Sequence, residues 1–165
     1  MNERDIESIV RNVLRELNTS ASAKTDVSMN LELAKKLIEL VEEEAKRVGV
    51  KAVVAVSDAA GRPVAIHCMD GAYIGSFDVA LNKTYTSVAF QMSTAKLAEL
   101  AAPGGSLYGI QNTNEGKIVI FGGGEPLYIG DKLIGALGVS GGTAEQDTGL
   151  AEFGKKKLKE VITWK

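Results

Sequence analysis

The sequence predicts an α+β domain built on one five-stranded antiparallel sheet flanked by helices. Apolar residues recur with helical spacing in three long segments after residue 28, which predicts three main helices. Five runs rich in β-branched residues lie between them, and short turns join most of these runs to a neighbour. Strands joined by such short turns pair antiparallel. With 165 residues, of which 45% are hydrophobic, the chain is long enough for one packed core.

The composition excludes several classes of function. The formal net charge is −2, so the basic character of nucleic-acid-binding proteins is missing and we expect no nucleic-acid partner. One cysteine excludes an internal disulfide, and one histidine excludes a multi-histidine metal site within a single chain. The sequence has neither the roughly 18 apolar residues of a membrane span nor an apolar signal core at the N-terminus. We therefore expect a cytoplasmic protein that has no membrane partner.

Residues 1–17 are predicted to form a separate amphipathic helix. Its apolar residues share one stripe: Ile6, Ile9, Val10, Val13, Leu14 and Leu17. Residues 18–27 are mostly small and polar, which is typical of a linker. A helix of about 15 residues is marginal by itself in water, so the stripe needs a surface to pack against. Because a linker separates it from the rest of the chain, that surface can belong to a partner.

Periodicity and turn signals assign the remaining elements. The predicted helices are 30–48, 76–90, 94–100 and 144–161, and the predicted strands are 52–56, 63–69, 117–121, 125–129 and 132–140. Gly49 is expected to end the first of these helices. Thr143 and Gln146 are expected to form a capping box before the last one. The helix 76–90 is expected to turn five residues towards the core: Phe77, Ala80, Leu81, Thr84 and Val88.

The order of these pieces resembles the GlcG/HbpS-like domain family, which also occurs as the C-terminal domain of PduO. Residues 54–61, Val-Ala-Val-Ser-Asp-Ala-Ala-Gly, look like the first hairpin of the family. Residues 69–72, Met-Asp-Gly-Ala, look like the loop before its central helix, and residues 80–84 look like that helix. Residues 122–127 also match, and the stretch 135–147 is the most telling.

The resemblance covers residues 28–165 and carries implications for cofactor and assembly. It implies a five-stranded antiparallel sheet and an even-numbered homo-oligomer, with an octamer as the favoured size. Some members bind haem, so the resemblance implies haem or a corrinoid-type tetrapyrrole as the cofactor. PduO also has an N-terminal adenosyltransferase domain, for which 165 residues leave no room, and we do not expect that activity here.

The first 17 residues resemble the encapsulation peptides that carry enzymes into bacterial microcompartments. This second resemblance agrees with the first, because PduO-like domains are associated with such compartments. It implies that the protein lies in the cytoplasm within a microcompartment. It also implies that residues 1–17 contact shell or cargo proteins.

The candidate cofactor-binding residues are His67, Met69, Asp70 and Gly71. His67 carries the one imidazole of the chain, so it is the first candidate to ligate haem iron, and Met69 is a second conceivable ligand. Asp70 and Gly71 lie in the loop that the resemblance places beside a pocket. The position of His67 is equally consistent with packing at a subunit interface. Cys68, its neighbour on the strand, is expected to be a small core residue.

A second hypothesis is a small-molecule enzyme with Asp70, Lys83, Glu145 and Asp147 as the catalytic candidates. Lys83 stands out on a helix of small and apolar residues, and it could pair with any of the three carboxylates or remain a solvated surface lysine. Glu145 and Asp147 could act as general acids or bases, or they could simply offset the helix dipole. We expect no metal site. A structural cargo protein without catalysis is the third hypothesis.

Overall fold

The computed structural model describes residues 27–163, which form four helices and four strands. The helices are α1 (Leu31–Arg47), α2 (Ser76–Phe90), α3 (Thr94–Ala101) and α4 (Ala144–Thr163), and the strands are β1 (Val53–Asp58), β2 (Pro63–Cys68), β3 (Gly124–Ile129) and β4 (Lys132–Ser140). Two 3-10 turns, Ile110–Asn112 and Asn114–Gly116, precede β3. The predicted targeting helix 1–17 and nearly all of the linker 18–27 lie outside the described residues.

The sheet has the strand order β2–β1–β4–β3, and every neighbouring pair is antiparallel. The predicted α+β class is confirmed, but the fifth strand, residues 117–121, is wrong. Within the described residues this segment joins no ladder, and the Val119 N–H instead donates to Thr86 Oγ1 of α2 at 3.0 Å. Ile118 and Val119 are nevertheless buried. The β-branched run therefore indicates burial correctly, while its backbone groups are satisfied by a side chain.

Side chains alternate between the two faces of the sheet, and helices cover both faces. On one face, Val54 and Val56 of β1 pack in the main apolar cluster with residues of α1 and α4. On the other face, Val53 and Ala55 pack with Ala80 of α2. The sheet is thus covered on both sides, and its edge strands are β2 and β3.

Two predicted signals, Gly49 after α1 and the capping box before α4, are confirmed. Asn30 Oδ1 accepts the Leu33 N–H at 2.9 Å, and Gly49 follows α1 with a φ of 73°. Before α4, the Thr143 N–H donates to Gln146 Oε1 at 2.9 Å, and the Gln146 N–H donates to Thr143 Oγ1 at 3.3 Å. These reciprocal bonds are the predicted capping box, which satisfies N–H groups that the helix itself cannot.

Helix α2 packs against the sheet through small residues, which confirms Ala80 and Thr84 of the predicted inward face and corrects the rest. A Cβ on Gly138 of β4 would overlap the Ala80 carbonyl oxygen, so α2 comes too close for a large side chain to fit between them. The buried face of α2 consists of Ser76, Ala80, Lys83, Thr84, Thr86 and Ser87. Phe77, which was expected to face the core, is 42% exposed, and Leu81 and Val88 are half-buried.

Candidate functional site

His67 lies on the edge strand β2 and contacts Glu42 of α1. Its Nδ1 atom is 3.1 Å from Glu42 Oε1, and the two side chains are 35% and 19% exposed. The register places His67 opposite Val54, which packs towards α1. The imidazole ring therefore lies on the face of the sheet that α1 covers. The contact is a hydrogen bond in the tautomer that carries its proton on Nδ1, because an ionised carboxylate only accepts. The Nε2 lone pair is then left for another partner.

An open cavity with a volume of about 540 Å³ lies beside Glu42 of this pair, while His67 itself is not among the lining residues. Its lining residues come from α1, from the segment between α1 and β1, and from the end of β2: Glu42, Lys46, Gly49, Val50, Lys51, Cys68, Met69 and Asp70. Glu42 belongs both to the wall and to the contact with His67. Its charged groups are two lysines, which can pair with an acidic ligand, and the two carboxylates of Glu42 and Asp70.

The structure orients the two sulfur-containing residues of this region differently. Met69 packs against the main apolar cluster, and its sulfur accepts the Ala52 N–H at 3.4 Å. Its sulfur is therefore engaged inside the protein. Cys68 is exposed and not a small core residue as expected, because it ends an edge strand whose flank has no strand beside it within the described residues.

Asp70 and Gly71 form the turn that closes the cavity wall after β2. The Ala72 N–H donates to the Met69 carbonyl oxygen at 3.0 Å, and Gly71 adopts a φ of 81°. A Cβ at Gly71 would lie 3.0 Å from Lys51 Nζ, so glycine is favoured both by the backbone and by the space. Asp70 lines the cavity, while Gly71 is not among the lining residues.

Lys83 and Asp147 form a second cluster, which is fully enclosed. Lys83 Nζ donates to Asp147 Oδ2 at 2.9 Å and to the Val139 carbonyl oxygen at 2.7 Å, and it lies 4.8 Å from the centre of the Phe121 ring. Asp147 Oδ1 accepts the Gly142 N–H at 2.9 Å. Burial lowers the pKa of Lys83, and the Asp147 carboxylate acts against that shift. Lys83 therefore forms an ion pair, and the alternative prediction of a solvated surface lysine is wrong.

The four catalytic candidates do not meet in one pocket. Lys83 and Asp147 are together, but Asp70 lines the separate cavity described above. Glu145 is exposed, and its own backbone N–H and the Thr143 hydroxyl lower the pKa of its carboxyl. Within residues 27–163, no hydrogen bond or ion pair joins Asp70 or Glu145 to Lys83. The same residues contain no group of three or more His, Cys, Asp or Glu side chains that could hold a metal ion.

Glu42 and the cavity lysines were not predicted from the sequence. Glu42 lies beside the buried stripe of α1, next to Val41, and an acidic residue at such a border is common on amphipathic helices. Lys46 follows one turn later on the same side. These two charged residues at the border of the apolar stripe are the one local signal of a site, and they do not indicate that Glu42 contacts His67.

The chain matches a known protein family and several related proteins. The model of the family described as haem degrading protein HbpS-like matches residues 29–156. The chain belongs to the HbpS-like family. The match spans all four strands, the cavity, and the Lys83–Asp147 cluster. None of the helices within the described residues is long and apolar enough to cross a membrane.

Three proteins show what this HbpS-like chain is similar to. A 15.0 kDa protein of the dhaT-dhaS intergenic region of Citrobacter freundii is 45% identical over 76% of this chain and 88% of its own length. The corrinoid adenosyltransferase PduO of Citrobacter freundii is 33% identical over 89% of this chain, which spans 44% of PduO. A crystal structure of a PduOC:heme complex is 35% identical, with a TM-score of 0.76, and covers 79% of this chain and 94% of that one.

Proposed function

We propose that this HbpS-like protein binds haem and that His67 supplies the axial ligand. The observation that carries the proposal is the contact between His67 Nδ1 and the Glu42 carboxylate at the rim of an open cavity. Metal-ligating histidines usually donate their second ring N–H to such a partner, which leaves the other nitrogen for the metal. The heme in the related PduOC structure supports the class of cofactor.

The residues around the cavity fit the chemistry of this group. A haem carries two propionates, and Lys46 and Lys51 on the wall can pair with such carboxylates. Val50 and Met69 provide apolar surface on the same wall. When bound, haem supplies an iron centre for redox or ligand-exchange chemistry. In this reading His67 binds and orients the group, and the lysines hold its acidic edge.

A hemin titration of three proteins tests this assignment. The intact chain is expected to give a stoichiometric Soret shift with a low-spin signature, and His67→Ala is expected to abolish that signature. Met69→Leu keeps the packing volume and should leave the spectrum largely intact. An unchanged spectrum in His67→Ala would remove histidine ligation. A changed oligomer size in His67→Ala, without a haem signal in the intact protein, would instead support an interface role.

We also propose an even-numbered homo-oligomer in which copies pair through the outer face of α2. Tyr73, Ile74 and Phe77 are 74%, 96% and 42% exposed. Leu81 and Val88 continue from Ile74 and Phe77 at helical spacing and are half-buried. Asp78 is the one exposed charge between residues 76 and 90. An apolar stripe of this kind suits isologous pairing with a second copy, and an octamer would arise from further contacts of the dimers.

For residues 1–17 we propose a packaging role in a bacterial microcompartment. The support is the apolar stripe of this segment and the polar linker that follows it. Deleting residues 1–24 is expected to leave the melting temperature within a few degrees and to abolish co-purification with the compartment shell. Val13→Glu with Leu14→Glu should reproduce the packaging loss in the full-length chain. Failure of the truncated protein to fold would instead assign the segment to the core.

A further inference from the structure

We propose that Glu42 is a positioning residue that fixes the tautomer and orientation of the His67 ring, with the proton on Nδ1 and the lone pair on Nε2. This inference rests on the proposed haem-binding function, because it assigns a purpose to the free nitrogen. The juxtaposition that carries it is the 3.1 Å contact between Nδ1 and Glu42 Oε1.

The position of Glu42 is fixed by its neighbours on α1. Val41 and Ala45 are fully buried in the main apolar cluster, so the helix cannot rotate without exposing them. The Glu42 side chain is 19% exposed, which shields the contact from water more than a surface pair. Glu43, the next residue, is exposed. The helix therefore presents one carboxylate, held in one place, to the imidazole.

The contact has a chemical consequence for the free nitrogen. A proton held on Nδ1 by a carboxylate leaves Nε2 without a proton, and the ring does not have to change tautomer before it binds a metal. The carboxylate also raises the basicity of the ligating nitrogen and restricts the rotation of the ring. Loss of such a partner typically costs about 10- to 100-fold in metal affinity.

The tautomer can be measured in the cofactor-free, full-length protein. Because the chain has one histidine, ¹⁵N-histidine labelling gives one pair of ring resonances that need no assignment to a site. At alkaline pH, where an imidazole is neutral, the intact protein is expected to show the Nδ1–H form. Glu42→Ala should shift the ring towards the Nε2–H form, while Glu42→Gln should preserve the original form because its amide oxygen still accepts.

Glu43→Ala is the matched control, since it removes the same charge from the neighbouring position of the same helix. It should leave the ring resonances unchanged. A native Nε2–H tautomer, or an unchanged tautomer in Glu42→Ala, would overturn the inference whether or not haem binds. If the tautomers respond as expected but the intact protein does not bind hemin, the proposed function is wrong and the role of Glu42 in setting the tautomer is still supported.

Hemin titration gives the second readout. Glu42→Ala is expected to weaken hemin binding by about 10-fold or more, and Glu43→Ala is expected to bind like the intact protein. Equal affinities of Glu42→Ala and the intact protein would overturn the inference. Circular dichroism of each variant separates this loss from unfolding, because a folded variant that has the wrong tautomer and weak binding supports positioning.

Discussion

Lys83 and Asp147 form a buried ion pair that links helices lying on opposite faces of the sheet. Their side chains are 0% and 4% exposed, and Nζ lies 2.9 Å from Oδ2. The same ammonium donates to the Val139 carbonyl oxygen of β4 at 2.7 Å. One side chain therefore ties α2, β4 and the first turn of α4 together. Charges removed from water in this way are costly to leave unpaired.

Removing one partner of this pair should destabilise the fold strongly. Lys83→Ala leaves the Asp147 carboxylate buried without its cation, so we expect the free energy of unfolding to fall by about 3–5 kcal/mol in urea denaturation. The control is Lys96→Ala, which breaks the exposed pair with Glu99, where the side chains are 58% and 67% exposed. That change should cost at most about 1 kcal/mol.

An apolar replacement of both partners distinguishes the pair from its packing. Lys83→Met combined with Asp147→Leu should recover most of the stability that Lys83→Ala loses, because no charge is then left buried. If Lys83→Ala costs no more than Lys96→Ala, the buried pair does not hold the layers together.

Gly138→Ala should disrupt the close approach of α2 to the sheet. Because the added methyl group would overlap the Ala80 carbonyl oxygen, α2 must move outwards. We expect a loss of about 1–3 kcal/mol in the free energy of unfolding, measured by denaturant titration with circular dichroism. Gly149→Ala is the matched control, since its added Cβ would meet nothing within 4 Å. Inside α4 that change should be neutral or stabilising by up to about 1 kcal/mol. Similar effects of the two substitutions would contradict the packing explanation.

Charges on the exposed apolar residues just before α2 and in its first turn should dissociate the proposed oligomer. Ile74→Glu and Phe77→Glu place carboxylates on a surface where both side chains are exposed, so neither change should unfold the monomer. Light scattering coupled to size exclusion is expected to show a smaller assembly. Tyr108→Glu, at a residue that is 68% exposed outside α2, should leave the mass unchanged. An intact protein that is monomeric at micromolar concentration would rule out the pairing.

The turn between β1 and β2 should make part of the stability depend on pH. Partial burial acts to raise the pKa of Asp58, but the N–H groups of Arg62 and Ala60 and the Arg62 guanidinium lower it overall. Because the folded pKa is the lower one, the stabilisation is complete above the unfolded value of about 3.9 and is lost as the pH falls through the folded value. The stability gap between the intact protein and Asp58→Asn should therefore shrink below about pH 4. Urea denaturation at several pH values measures this gap, and a gap that stays constant would contradict the linkage.

The sequence predicts the elements whose signals are local. The stripe of α1, the Gly49 that follows it and the capping box before α4 all depend on residues within a few positions of one another. The prediction of a strand at residues 117–121 is wrong because pairing between strands is not local. Its apolar residues are buried as expected, but the partner for the Val119 N–H is a threonine hydroxyl 33 residues away in the chain.

The candidate site shows the same division. Asp70 of the predicted pocket loop lines the cavity, and Glu42 on the same wall contacts His67. Glu42 was missed, because its contact with His67 spans 25 residues and depends on how α1 crosses β2. For Lys83, charge alone left three possible carboxylates, and the choice of Asp147 comes from where α4 begins. Phe77 was assigned to the wrong face, because the close approach of α2 to Gly138 of β4 cannot be seen in the sequence of α2 alone.

The location of His67 on an edge strand has an evolutionary consequence. His67 and Glu42 both lie outside the two apolar clusters of the described residues, so substitutions at either position leave the packing of those clusters in place. Under the proposed ligation by His67, cofactor binding can therefore be lost or acquired along a lineage while the architecture is inherited unchanged. Proteins of this family that superimpose closely can then differ in what they carry, and these two positions are the ones to compare between them.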